Sequence, residues 1–304
     1  MSACGKEGMF MKKKRKKFNS NTVYTIIVYT IAIVAALVWL YPLVYVISAS
    51  FSSPEELLSG NVVLFPKGFT LEAYKYVFKN KDIMIGYRNT IFYSVVGTLY
   101  NMILTVFAAY PLSKKDMKGQ TFLTMMITFT MFFGGGMIPV YLNLNSLGLL
   151  NTPWVMFIPS AISATNFIIM RNYFTHSISA ELLEAAHMEG ATQLQTLRKI
   201  VLPLSTPILG VITIYYMAGH WNAYFSALIY LSDDELMPLQ IFLRRILILG
   251  GMEGMSTGSS MTDSLIYESL KYAIIVVSTV PMVVAYLLVQ KSFKKGIMMG
   301  SLKG

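Results

Sequence analysis

Few residues in this 304-residue chain are equipped for chemistry, and their spacing excludes most of what they could do. Asp233, Asp234 and Glu235 supply the oxygen ligands that a divalent cation prefers. Three consecutive positions do not converge on one ion, however, and no calcium-loop glycine spacing accompanies them, so they read as a solvated surface and no metal is expected. Gly134, Gly135 and Gly136 would suit a phosphate cradle only if Lys and Ser or Thr followed, and neither does. With Pro139 beyond it, the triplet reads as a hinge in a helix. With only three histidines, no nucleophile, base and orienting partner can be assembled, which leaves no catalytic residues and no enzyme. Cys4 is the single cysteine, so no internal disulfide can form. The basic run from Lys12 to Lys17 invites phosphate binding, but it lies immediately before a long apolar run. It is a membrane-topology signal rather than a nucleic-acid site.

The elements that must carry these residues are set by composition. Hydrophobic residues make up 55% of the chain and charged residues 13%, against about 25% charged in a soluble domain. Six runs, 23–50, 90–113, 121–142, 152–170, 203–230 and 272–290, hold no Asp, Glu, Lys or Arg. A charge at the bilayer centre costs roughly 2.5–3.5 kcal/mol on insertion scales. About 20 apolar residues in a helix cross the ~30 Å hydrocarbon core, so the runs predict an all-α, polytopic membrane protein with six transmembrane helices. A barrel would show alternating segments of about ten residues, which these are not.

Segments on the side of the N-terminus, 1–22, 114–120, 171–202 and 291–304, hold 17 of the 25 Lys and Arg. Basic loops stay in the cytoplasm, which places both termini there. The first apolar run is far longer than the 7–15 residues of a cleavable signal and is expected to remain as a helix. The chain thus divides into a basic cytoplasmic tail (1–22), a transmembrane domain (23–290) with a cytoplasmic loop (171–202), and a C-terminal tail (291–304). Outside, 51–89 carries the breakers Pro54, Pro66 and Gly68 and an amphipathic stretch at 71–78 that could cap the outer mouth, and 231–271 reads as a second outer segment.

Within the cytoplasmic loop, Leu183, Ala186, Gly190, Leu194, Leu197 and Val201 recur in steps of three and four, the mark of one helical face. Ser179 is positioned to cap the start and Pro203 to end the segment. Gly190, which costs roughly 1 kcal/mol relative to Ala inside a helix, marks a turn or a close backbone approach. A helix lying on lipid headgroups would carry Lys or Arg, whereas this one presents Glu181, Glu184 and Glu189 and small residues at Ala185, Ala186 and Ala191. That composition fits docking against a cytoplasmic protein.

Glu184-Ala185-Ala186, then Gly190, and later Ile200, Leu202 and Pro203 resemble the EAA loop of bacterial ABC-importer permeases. The resemblance extends to 109–114, 135–142, Trp221-Asn222 and the tail 293–304, which are similar to the carbohydrate branch. It is closer to permeases for oligosaccharides from plant or algal polysaccharides than to the six-helix maltose-permease subunit. Ser179-Ala180 and Glu189 stand where that family usually has a proline and an aspartate.

The resemblance implies a type I ABC-importer permease in the bacterial cytoplasmic membrane. It would work with a second homologous permease subunit, two ABC ATPase subunits that bind ATP and Mg, and an extracytoplasmic solute-binding protein. Glu184, Ala185, Ala186, Gly190, Leu202 and Pro203 would couple to the ATPase, and Gly296, Gly300 and Gly304 would belong to a thin tail reaching between the ATPases. The chain itself needs no cofactor. Tyr216, His220, Trp221, Asn222 and Tyr224 supply the aromatic faces and hydrogen-bonding groups of a possible sugar path. The competing reading is a self-sufficient secondary carrier or channel. Such carriers use ionisable groups at the midplane, and among the crossings only His220 qualifies.

Overall fold

The computed structural model describes the backbone of residues 20–249 and 261–300 and the side chains of 23–248 and 267–290. Cys4 and the basic run at 12–17 lie outside the described residues. Among those described there is helix, turn and loop but no strand.

The first helix, α1 (Ser20–Ser50), is exposed from Val23 to Leu43 and buried only at Ser48, Ala49 and Ser50. Side chains such as Trp39, 79% exposed, fit hydrocarbon rather than water. The loop beyond it holds α2 (Pro54–Leu58) and α3 (Glu72–Lys79). The amphipathic stretch at 71–78 is realised as α3, whose Ala73 and Val77 pack on Ile83 and on Leu270, Ala273 and Ile274. The central helix α4 (Lys81–Leu112) begins nine residues before its apolar run. Asn80 caps it by accepting from the amides of Asp82 and Ile83.

Three of the six expected crossings are not single helices. The third run forms α5 (Gln120–Phe129) and α6 (Met137–Ser146), separated at the glycine triplet, where Gly136 takes φ +82°. Ten residues of helix span only about 15 Å, so neither half crosses a bilayer. The fourth run opens with a single 3₁₀ turn at Pro153–Met156 and becomes regular only in α7 (Ala164–Ser177). Pro153 and Pro159 deny it the amides a continuous helix needs. The loop that follows folds as α8 (Ala180–Met188), α9 (Gln193–Thr196), a wide π turn at Leu197–Val201, and α10 (Leu202–Leu204). The fifth run is then α11 (Thr206–Trp221) and α12 (Phe225–Tyr230), and α13 (Leu239–Arg244) precedes the last helix, α14 (Met261–Gly300).

Among the described residues, three helices are long and apolar enough to cross a membrane: 23–50, 81–112 and 267–290. The pair 193–204 and 206–221, bent by 84°, adds a fourth candidate. Two buried clusters fix the bundle at its ends. One gathers Ala109, Tyr110, Phe167, Met170, Leu197, Val201 and Ile212 beneath the loop of α8 to α10. The other gathers Tyr93, Val155, Phe157, Leu231, Ile241 and Phe242 at the opposite end of α4.

Candidate functional site

The loop read as one amphipathic helix is two limbs joined by a turn. Ser179 caps α8 as expected, its hydroxyl accepting from the amide of Leu182 at 3.4 Å. Ala186 is buried and Leu183 half-buried against the core, while Glu181, Glu184, Ala185, Glu189 and Gly190 are exposed, with Met188 87% exposed. Gly190 sits at φ +79°, its amide bonded to the His187 carbonyl at 2.9 Å, and α8 ends there. A Cβ at this position would meet nothing within 4 Å, so the glycine serves a turn and not a close approach. Thr192 then starts the second limb with a reciprocal capping box: its hydroxyl accepts from the Gln195 amide, and the Gln195 side chain accepts from the Thr192 amide at 2.8 Å.

The second limb is anchored to the bundle. Gln193 Oε1 accepts from Tyr110 at 3.2 Å and from Lys114 Nζ, which also lies 4.5 Å from the Tyr110 ring centre. Leu197 and Val201 are buried in the core, and Leu202 is half-buried. Arg171 of α7 donates to the Leu112 carbonyl at 2.9 Å, tying the start of the loop to the same end of α4. Pro203 does not end the segment. The break falls at Ser205, and the chain turns through 84° into α11, whose second residue is Pro207. Pro207 has no amide for the Pro203 carbonyl, which accepts from the Thr206 hydroxyl at 2.8 Å instead.

Of the residues in the possible sugar path, three are internal ties. Tyr216, 6% exposed, shares a hydrogen bond with Thr105 at 2.7 Å and accepts from the Ser163 amide at 3.0 Å. His220 Nε2 lies 2.6 Å from Asn101 Oδ1, and the Asn101 amide donates to the carbonyls of Ser160 and Ala161, both at 2.7 Å. Because that oxygen only accepts, Nε2 carries the proton. Trp221 donates its indole N–H to the Ser278 carbonyl at 3.1 Å. The three side chains thus fasten α11 to α4, to the segment before α7 and to α14. Asn222 and Tyr224 alone of the five are exposed.

With this architecture in place, comparison with known proteins is decisive. The family described as "Binding-protein-dependent transport system inner membrane component" matches residues 83–297. The chain belongs to this family. A Bacillus subtilis relative, the polygalacturonan/rhamnogalacturonan transport system permease protein YtcP, is 39% identical over 93% of this chain and 99% of its own length. Protein LplC of the same organism is 40% identical over 86% of this chain and 89% of its own. Among solved structures, a chain of a bacterial ABC transporter involved in the import of the acidic polysaccharide alginate superposes with a TM-score of 0.83. It is 39% identical, and the match covers 90% of this chain and 98% of that one. This chain is a permease subunit of an ABC importer, with the all-α membrane fold of that class.

Two features of the permease escaped the sequence reading. The segment 231–271, read as outside the membrane, contains α13 and a π turn at Arg245–Leu249 that return into the bundle. Leu239 is fully buried, and a Cβ on Gly86 would stand 2.7 Å from the Phe242 ring. The signal was present in 239–249, an apolar run interrupted only by Gln240, Arg244 and Arg245. At that length it is too short to span but suits a re-entrant or core helix. Asn222 and Tyr224 meet Gln240 and Arg244 along an open cleft of about 480 Å³ against α14. The second feature is Asn101, buried at the middle of α4. At the C-terminus helix runs through Gly300, so Gly296 and Gly300 are helical, while Gly304 lies outside the described residues.

Proposed function

We propose that the permease forms one half of an oligosaccharide pathway through the cytoplasmic membrane, with the loop at 171–202 receiving force from an ATPase subunit. The reading includes a second homologous permease, two ATPase subunits holding ATP and Mg, and an external solute-binding protein. The observation that carries it is the construction of the loop: an exposed face of Glu184, Ala185 and Gly190 on α8, backed by a second limb bonded to α4 and continuous with α11. A push on α8 therefore reaches the membrane-centre ties of Tyr216 and His220 through one chain of helices. An oligosaccharide cargo is supported by the two 39% identical relatives, whose names specify polygalacturonan/rhamnogalacturonan and alginate.

Glu184→Arg or Gly190→Arg is expected to lower oligosaccharide uptake by about five- to thirtyfold, since a reversed charge or a side chain forced to positive φ costs roughly 1–2 kcal/mol at the contact. The abundance of the permease in the membrane should not change. Uptake at wild-type rates in both variants would refute the coupling role. Transport by the permease alone in liposomes, driven by an ion gradient without nucleotide, would establish the secondary-carrier reading instead.

A further inference from the structure

The cleft beside α14 is lined by a cation that no described residue neutralises. Arg244 lines it, at the end of a helix whose other face is packed through Leu239 and Leu243. Its neighbour Arg245 is engaged, bonded to Asp234 at 2.7 Å and lying 5.5 Å from the Phe242 ring centre. Arg88 likewise lies 3.6 Å from Glu235. Arg244 has no ion pair and no hydrogen bond among the described residues. Ser278 and Thr279, midway along the apolar stretch 267–290, also line the cleft, so it leads from the end of the bundle that carries Asp234 toward the middle of that stretch. An arginine keeps its proton, and an ionisable group that faces a cavity of a membrane bundle marks the passage of a ligand.

The remaining lining residues show what the cation would meet. Ser278 and Thr279 both donate to the Ile275 carbonyl, at 2.9 and 2.7 Å, so toward the cleft their oxygens present lone pairs. The Asn222 amide donates to Ala218 at 2.9 Å, which leaves its oxygen to accept. Tyr224 adds an exposed aromatic face and Gln240 a second amide. Acceptors for hydroxyl protons, a ring for the C–H face of a pyranose and one guanidinium together describe a polyhydroxy carboxylate. A lipid headgroup would have no use for the row of acceptors. A guanidinium and a carboxylate form a two-pronged, charge-assisted pair. The cavity of about 480 Å³ is within the roughly 300–1,000 Å³ usual for small-ligand sites.

We propose that Arg244 is a specificity-determining residue that receives the carboxylate of a uronic-acid unit as an acidic oligosaccharide crosses the membrane. This inference rests on the oligosaccharide reading given under Proposed function. The test uses the assembled transporter in proteoliposomes. Uptake of galacturonate and mannuronate trisaccharides is compared with uptake of their carboxyl-reduced forms, and ATP hydrolysis is followed in parallel.

The expected result is that Arg244→Gln lowers uptake of the acidic sugars by about tenfold or more, the loss typical of removing a charged hydrogen-bond partner. Arg244→Lys, which keeps the charge but loses the two-pronged geometry, should fall between Arg244→Gln and wild type, and ATP hydrolysis stimulated by the binding protein should stay within about twofold of wild type in both. Wild-type uptake of acidic sugars by Arg244→Gln overturns the proposal. So does joint loss of complex yield and ATP hydrolysis, which would assign Arg244 to a carboxylate of the second permease. A wild-type assembly that imports only the carboxyl-reduced sugars overturns this inference and leaves the oligosaccharide reading standing. One that imports neither form removes both.

Discussion

Asn101 shows how much one polar residue contributes inside a membrane bundle. Its side chain closes three hydrogen bonds, to His220, Ser160 and Ala161, where no water is available to replace them. Asn101→Ala would leave a histidine N–H and two carbonyls unpaired, at about 1–3 kcal/mol for each buried group left unsatisfied. The detergent-purified complex should accordingly unfold several degrees earlier in a thermal scan. His220→Gln retains a donor for Asn101 Oδ1 and should lose less. An equal midpoint for Asn101→Ala and wild type would show that the bonds are not maintained. The sequence disclosed the local features of this kind and not the distant ones. Ser179 as a helix cap was legible because its partner is three residues away, and Gly190 as a turn because its own backbone needs positive φ. Asn101 was not, because its partners are 59 to 119 positions distant and an asparagine in an apolar run gives no sign of whom it will meet.

Among the elements, hydrophobic length was legible and helical continuity was not. A run without charges establishes where hydrocarbon or a packed core can be, but proline, glycine and tertiary contacts decide whether it is one helix. That is why 121–142 divides at Gly136, and why α13, only six residues of helix, was hidden in a segment assigned outside. The join between the loop and α11 is the clearest case. Two prolines four residues apart identify a bend, but its position at Ser205 follows from Thr206 taking the carbonyl that Pro207 cannot. Replacing both, Pro203→Ala with Pro207→Ala, restores the amides that a continuous helix uses. The 84° bend should then relax and carry the loop away from the core. Uptake is expected to fall about tenfold, equivalent to ~1.4 kcal/mol of lost coupling, while ATP hydrolysis stops responding to the loaded binding protein. Retention of both responses in the double variant would show that the prolines do not set the bend.

For the molecule as a whole, the charge pattern read from the sequence can be placed on an axis. Near one end, α4 lies beside the acidic cluster at 233–235, with Asn89 donating to the Glu235 and Met237 carbonyls. The other end receives Arg171 at Leu112 and Lys114 at Gln193. From Asn89 to Leu112 the helix spans about 35 Å, more than a hydrocarbon core of ~30 Å. Lys114, Lys115, Lys118, Arg198 and Lys199 therefore gather at one face of the bundle and Asp82, Asp233, Asp234 and Glu235 at the other, and the orientation we propose sets the basic face in the cytoplasm. Single cysteines on a Cys4→Ser background can read this axis directly. Ser232→Cys, next to the acidic cluster, is expected to react with an impermeant maleimide in spheroplasts and to resist it in inverted vesicles. Met188→Cys, the most exposed apolar position of α8, should do the reverse. If the ATPase seats on α8, Met188→Cys in inverted vesicles should also lose reactivity when the ATPase subunits are co-expressed, and Ser232→Cys in spheroplasts should not. Labelling of both positions from one side would invert or break the axis, and labelling of Met188→Cys indifferent to the ATPases would move their contact off α8.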